Sequence, residues 1–401
     1  MRERLARFAT PGRAARRAVP GHPTAERNHT LVPVLAALAL LTPAVLSSAA
    51  TGPAAVAGPV IAPPTLTSRV LGPTRSGLPW HSGAWQGGGF SGPAAEAWGT
   101  WRGRPSDLVT TYPDYSASWE GIKNSRWHIT TFAGFGGRLL YGLPLAPAGA
   151  ENPLPKVAAG QYDYVWAQVA DDLVAQGRAD AIVRVGWEAN GSWFSWNTTT
   201  ESAPVYRAAF RRVAEILKAR APDLLIDFDV ACGTPLRGQT DRREALTSLY
   251  PGDDVVDLIG CDTYDWDDDK VTDERTWQNH LRPRRGAGLA DVADFARSRG
   301  KGMTVPEWGV SGRSGGGGDN PLFIRKMRDF FVANPDVLVA EAYFSEIDSA
   351  VKSDLIQGQN PAAAQAYREL WQPAGASEPQ SANAAEGANN AGWSRPPEVA
   401  R

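Results

Sequence analysis

Residues 181–188 read AIVRVGWE, an apolar run that carries one arginine and ends on one glutamate. The β-branched residues Ile182, Val183 and Val185 favour extended backbone. A run this apolar, with no polar alternation, suits a strand covered on both faces, as in a parallel sheet. Arg184, Gly186 and Glu188 share one parity and therefore one face. A guanidinium among such neighbours needs a carboxylate partner, because an unpaired buried charge is prohibitively costly.

Similar runs recur outward from it: LLIDFDV at Leu224–Val230, VVDLIGCDTY at Val255–Tyr264, MTVPE at Met303–Glu307 and VLVAEAYF at Val337–Phe344. Shorter candidates lie at Gly83–Gln86, Asp107–Thr111 and Leu139–Leu145. Amphipathic stretches at Tyr162–Gln176, Pro204–Ala219, Leu289–Ser298, Pro321–Ala333 and Ala362–Trp371 fall between them. Eight strand–helix units in about 300 residues predict an α/β fold, a (β/α)8 TIM barrel in a single domain. The stretch GGGFSG at Gly87–Gly92 spells G-x-G-x-x-G. With no strong helix expected after it and no acidic ribose ligand evident, it reads as a loop and not as a dinucleotide site.

A barrel of this kind places its active site at the C-terminal ends of its strands. Glu188 closes the fourth run, and Glu307 closes the seventh within Pro306–Glu307–Trp308–Gly309. Asp262 and Tyr264 share a face of the sixth strand, as do Asp227 and Asp229 of the fifth. Glu341, Tyr343 and Ser345 end the eighth. Two carboxyl groups from near-opposite strands of one rim suit a glycosidase pair. One protonates the leaving oxygen and the other attacks the anomeric carbon, with retention when they stand about 5–5.5 Å apart. Each glutamate alone is equally compatible with a cap or an ion pair.

Arg184–Trp196 (RVGWEANGSWFSW) resembles the acid/base motif of glycoside hydrolase family 26, with Arg four residues before Glu, then Asn-Gly and Trp-Phe. Tyr250–Tyr264 is similar to that family's sixth strand, and Val305–Gly309 to its nucleophile strand. The likeness runs over roughly residues 78–373. It implies Glu188 as general acid/base, Glu307 as nucleophile, Tyr264 as a hydrogen-bond partner of the nucleophile, and Trp193 stacked on sugar at the cleavage point. Arg184, Trp187, Asn190, Trp308 and Tyr343 complete the candidate substrate-binding set. On this reading Glu307 is ionised beside Arg184 and Tyr264, while Glu188 starts protonated among apolar walls. Three features depart from the family pattern, one being that no counterpart appears for a second substrate-binding His, since His81 and His128 lie on or near early segments. Trp187 stands where family mannanases usually have His, and Tyr343–Phe344 where a strand-eight Trp is common. Trp196 is a second candidate for the cleft lining.

The chain has 401 residues, 43% hydrophobic and 21% charged, with a net charge of −2 and fifteen tryptophans. That balance excludes a nucleic-acid binder working by overall charge. Residues 1–30 hold seven arginines ahead of an apolar run at Leu31–Leu46, which reads as a secretory signal within 1–50, too short for a stable membrane span. A linker (51–70), the barrel (71–373) and a disordered tail (374–401) follow. Cys232 and Cys261 fall in segments read as adjacent strands, so a disulfide and two buried thiols both stand open. Asp265–Lys270 begins like a calcium loop but lacks its glycine and its closing glutamate, so no metal is expected; no cofactor is expected either. The sequence predicts a secreted, monomeric, retaining β-glycoside hydrolase, endo-acting on a β-1,4-mannan-type polysaccharide. The alternatives are mixed-linkage β-glucan or β-1,3-xylan as substrate, or a barrel that binds polysaccharide without cleaving it.

Overall fold

All eight apolar runs form strands. In the computed structural model, which describes residues 65–87, 91–116, 118–266, 270–347 and 351–373, they are β1 (His81–Gln86), β2 (Leu108–Thr111), β3 (Arg138–Leu143), β4 (Ile182–Val185), β5 (Leu225–Ala231), β6 (Leu258–Tyr264), β7 (Gly302–Gly309) and β8 (Leu338–Ser345). The strands are parallel and close into a barrel in chain order, β1 pairing with β8. The proposed signal segment, residues 51–64 of the proposed linker and the tail lie outside the described residues.

Helices between the strands bury the faces their periodicity marks. Ala203–Arg220 turns Tyr206, Phe210, Val213, Ala214 and Leu217 inward at spacings of three and four. Leu108, Leu140, Ile182, Leu258 and Val339 fill the lower barrel as its bottom layer.

The structure differs from the sequence reading in two places at the amino-terminal side. Leu66–Val70, assigned to the linker, is a helix whose buried Thr67 donates to the Leu338 carbonyl, so the ordered barrel begins before residue 71. Gly92–Trp101 is a ten-residue helix directly after the glycine-rich stretch, where none was expected. Ser91 caps its first turn by accepting from the Ala94 amide, a cap-and-proline start that outweighs two glycines in the helix. Strand, glycine loop and helix therefore do occur in dinucleotide-fold order, but in a closed barrel.

Two irregularities shape the rim. β4 ends at Val185, and both Gly186 and Glu188 take left-handed backbone, φ 52° and 53°. Glu188 therefore reaches the rim from a tight turn, and the strand-parity argument that grouped it with Arg184 does not apply. In β7 the register slips against both neighbours: Gly260 pairs with Thr304 but Thr263 with Trp308, and Val305 pairs with Glu341 but Trp308 with Tyr343. β7 thus holds one extra residue around Pro306, which has no amide hydrogen to offer a ladder. The bulge lets Thr304 and Glu307 both point inward despite their odd spacing. Cys232 and Cys261 form a disulfide between the end of β5 and β6, with Cα atoms 5.6 Å apart.

Candidate active site

Arg184 is the centre of the site and has no solvent exposure. Its Nε and one terminal nitrogen donate to Asp229 at 3.0 and 2.8 Å, and the second of these also meets Asp262. The other terminal nitrogen donates to Glu307 Oε1 at 2.7 Å and to the Tyr112 hydroxyl at 3.1 Å. β4, β5, β6 and β7 each supply one member, all turned into the barrel. Burial alone lowers the affinity of Arg184 for its proton, but Asp229, Asp262 and Glu307 reverse that and hold it well above the ordinary value. Burial pushes the Asp229 and Asp262 carboxyls up against the pull of Arg184.

Below them, Asp227 accepts from Thr304 at 2.6 Å and is pushed up to about 7 by burial and the adjacent Asp229. Gly260 leaves room for these acids. A Cβ there would lie 2.7 Å from that of Asp229 and 2.8 Å from the Thr304 hydroxyl.

Glu307 is held by three donors. Oε1 accepts from Tyr112 at 2.5 Å as well as from Arg184, and Oε2 accepts from Tyr264 at 2.8 Å. Burial and the Glu307 charge push both phenols well above their ordinary pKa, so they remain donors. Glu188 stands across the barrel at the end of β4. Its Oε2 accepts from the Trp193 indole at 2.6 Å, and its amide donates to Asp229. Its left-handed backbone costs a β-carbon residue roughly 1–2 kcal/mol, a strain typical of functional turns.

The other predicted contacts are placed differently. Trp193 is partly exposed beside Glu188. Trp187 is only 3% exposed, walled in by Tyr112, Tyr115, Phe194 and Trp196, with the Arg184 guanidinium over its ring at 5.6 Å. It packs beneath the site and presents no face to a sugar. Trp196 is fully buried, stacks on Phe194 at 4.4 Å and donates to the Trp187 carbonyl, so it does not line the cleft.

Asn190 is buried and spends its amide on backbone, donating to the Ala231 and Thr234 carbonyls and accepting from the Ala231 amide. It pins the Glu188 turn to the end of β5. Trp308 is buried on the outer side of β7, donating to Glu341 at 2.7 Å. Tyr343 is buried and bonds the Ser353 carbonyl at 2.9 Å. At that strand end the ring on the site side is Phe344, stacked on Trp85 at 5.8 Å and edge-on to Tyr264.

The sequence reading did not find Tyr112, although its place one residue past a predicted strand, on the rim of a predicted barrel, was a usable signal. It also missed Trp85, whose ring meets Tyr112 at 5.1 Å. Among the described residues no group of three or more His, Cys, Asp or Glu is arranged to hold a metal. Asp265, first residue of the calcium-like loop, instead accepts from the Val271 amide and the Asn320 side chain.

Residues 150–303 match the model of glycosyl hydrolase family 26, a span that includes Arg184, Glu188, Asp229, Asp262 and Tyr264. That segment is similar to the family over 154 of the 401 residues. It is 31% identical over 152 residues to a mannan endo-1,4-beta-mannosidase of Bifidobacterium adolescentis, covering 37% of this chain and 14% of that protein. It is 27% identical over 206 residues to endoglucanase H of Acetivibrio thermocellus, covering 50% of this chain and 21% of that protein. The matches therefore span well under a quarter of either relative's length. The catalytic domain of a family-26 endo-beta-1,4-mannanase from Bacillus sp. JAMB-750 superposes with a TM-score of 0.56 at 16% identity, over 77% of this chain and 90% of that one. That likeness is one of fold.

Proposed function

We propose that the chain is a retaining β-glycoside hydrolase with Glu307 as nucleophile and Glu188 as general acid/base. The observation that carries this reading is a carboxylate held at a barrel strand end by two phenols and a guanidinium, with a second glutamate in the turn after β4 bonded to a partly exposed indole. In the first step a Glu307 oxygen bonds to the anomeric carbon, the glycosidic bond breaks, and Glu188 gives its proton to the departing oxygen. In the second step Glu188 takes a proton from water, the hydroxide oxygen bonds to the anomeric carbon, and the bond to Glu307 breaks. Burial beside Glu307 strengthens each charge interaction relative to water.

The substrate proposed is a β-1,4-mannan-type polysaccharide cleaved internally, in keeping with the mannosidase relative. The endoglucanase relative, and tryptophan in place of histidine before Glu188, favour β-glucan as the second reading. Secretion is proposed from the arginine-rich, apolar amino-terminal segment and from the disulfide, which persists in oxidising compartments.

The role of Glu188 is checked with aryl glycosides of graded leaving-group acidity. Glu188→Ala is expected to slow poor leaving groups by roughly 100-fold or more while sparing dinitrophenyl glycosides in the first step. Equal losses on both would contradict the acid/base assignment.

A further inference from the structure

The two oxygens of the Glu307 carboxylate are not equivalent. Among the described residues, Oε1 receives the Tyr112 hydroxyl at 2.5 Å and the Arg184 guanidinium at 2.7 Å, whereas Oε2 receives only Tyr264 at 2.8 Å. When a carboxylate becomes an ester, the oxygen bonded to carbon loses most of its charge and accepts hydrogen bonds poorly. The carbonyl oxygen continues to accept. An attack through Oε1 would strand two donors, one of them a buried cation. An attack through Oε2 strands one phenol and leaves the buried cation paired.

We infer that Oε2 is the attacking oxygen and that Tyr112 is a positioning residue that holds Oε1 as the carbonyl of the glycosyl-enzyme and stabilises the carboxylate as it departs. The inference rests on the retaining mechanism proposed above and adds to it a division of labour between the two phenols. In the first step the Oε2–carbon bond forms as the glycosidic bond breaks. In the second, water's oxygen bonds to that carbon, Glu188 takes the proton, and the electron pair of the breaking bond returns to Glu307. That returning charge is shared with Oε1, where Tyr112 and Arg184 already donate.

Tyr112 is built into place for this. Gly142 on β3 makes the room, since a Cβ there would lie 2.3 Å from the tyrosine ring. The Trp85 ring at 5.1 Å and the Trp187 ring at 5.3 Å close the other sides. The tryptophan that replaces the histidine before Glu188 is thus one wall of the slot that aims the Tyr112 hydroxyl.

The test is pre-steady-state kinetics of the full chain on 2,4-dinitrophenyl β-mannobioside and β-cellobioside. Tyr112→Phe keeps the ring and removes the hydroxyl. It is expected to slow release of the glycosyl-enzyme on the order of 10- to 100-fold, within what one lost charge-stabilising donor costs. Because the slowed step follows bond cleavage, kcat and KM should fall together, a burst of about one dinitrophenolate per enzyme should appear, and mass spectrometry should find the sugar on Glu307. Gly142→Ala, which displaces the ring without touching its hydroxyl, should reproduce the burst.

A Tyr112→Phe enzyme with unchanged kcat, or with reduced kcat, unchanged KM and no burst, would overturn the assignment while leaving the retaining mechanism in place. If the parent chain turns over neither glycoside and a 2-fluoro glycoside leaves Glu307 unlabelled, the parent reading fails and this inference with it.

Discussion

At the scale of single residues, the site is governed by the cost of burying charge. Arg184 is tolerable in the barrel only because Asp229, Asp262 and Glu307 converge on it. The need for a carboxylate partner was legible in AIVRVGWE, and the family resemblance supplied Glu307 as one, but Asp229 and Asp262 were not named, since no local spacing connects their strands to Arg184. Tyr112 was hidden for the same reason. Its partner is 195 positions away in the chain. Conversely, Trp187, Asn190, Trp308 and Tyr343 had the right neighbours in sequence and the wrong direction in space, pointing into packing or onto backbone. Asp227 yields a pH prediction. Burial raises its pKa to about 7, above the ~3.9 of an unfolded aspartate, so between those values the folded state holds a proton that the unfolded chain has lost. Its contribution is fully present below about pH 4 and is lost as pH rises to about 7. Asp227→Asn should therefore flatten the decline in urea-unfolding free energy between about pH 4.5 and 8. An unaltered pH dependence would show that the burden lies elsewhere in the cluster.

At the scale of elements, periodicity located every strand of the barrel, because strands covered on both faces are apolar throughout. It failed where capping or irregular backbone decided the outcome. The Gly92–Trp101 helix depends on Ser91 and Pro93 at its start, and the β7 bulge depends on one proline. Neither leaves a periodic signal, yet the bulge is what turns Glu307 inward. The disulfide was open on the sequence because adjacent strands permit a bridge without requiring one. It joins β5 to β6, the strands that carry Asp229 and Asp262, across a separation of 29 residues. Loop-closure entropy assigns such a crosslink roughly 3–4 kcal/mol. The double Cys232→Ser, Cys261→Ser variant should lose about that much in denaturant titrations. An unchanged midpoint would contradict the loop-closure account.

At the scale of the whole molecule, the barrel gathers side chains from β2, β4, β5, β6 and β7 onto one rim, and this makes a long-range acid pair possible at all. Among the described residues no helix is long and apolar enough to cross a membrane. We propose that the rim cleaves a β-linked polysaccharide through Glu307. The most direct measurement is a reducing-end assay of the purified chain on galactomannan, glucomannan, barley β-glucan, β-1,3-xylan and β-1,4-xylan, run beside Glu307→Ala with and without azide. We expect reducing ends from one of the mannans, none from the variant with or without azide, and, with azide, partial return of cleavage seen by mass spectrometry as a glycosyl azide, the azide nitrogen having bonded to the anomeric carbon as Glu188 protonates the departing oxygen. A Glu307→Ala enzyme as active as its parent, or a parent inactive on all five yet retarded in gels containing one of them, would contradict it.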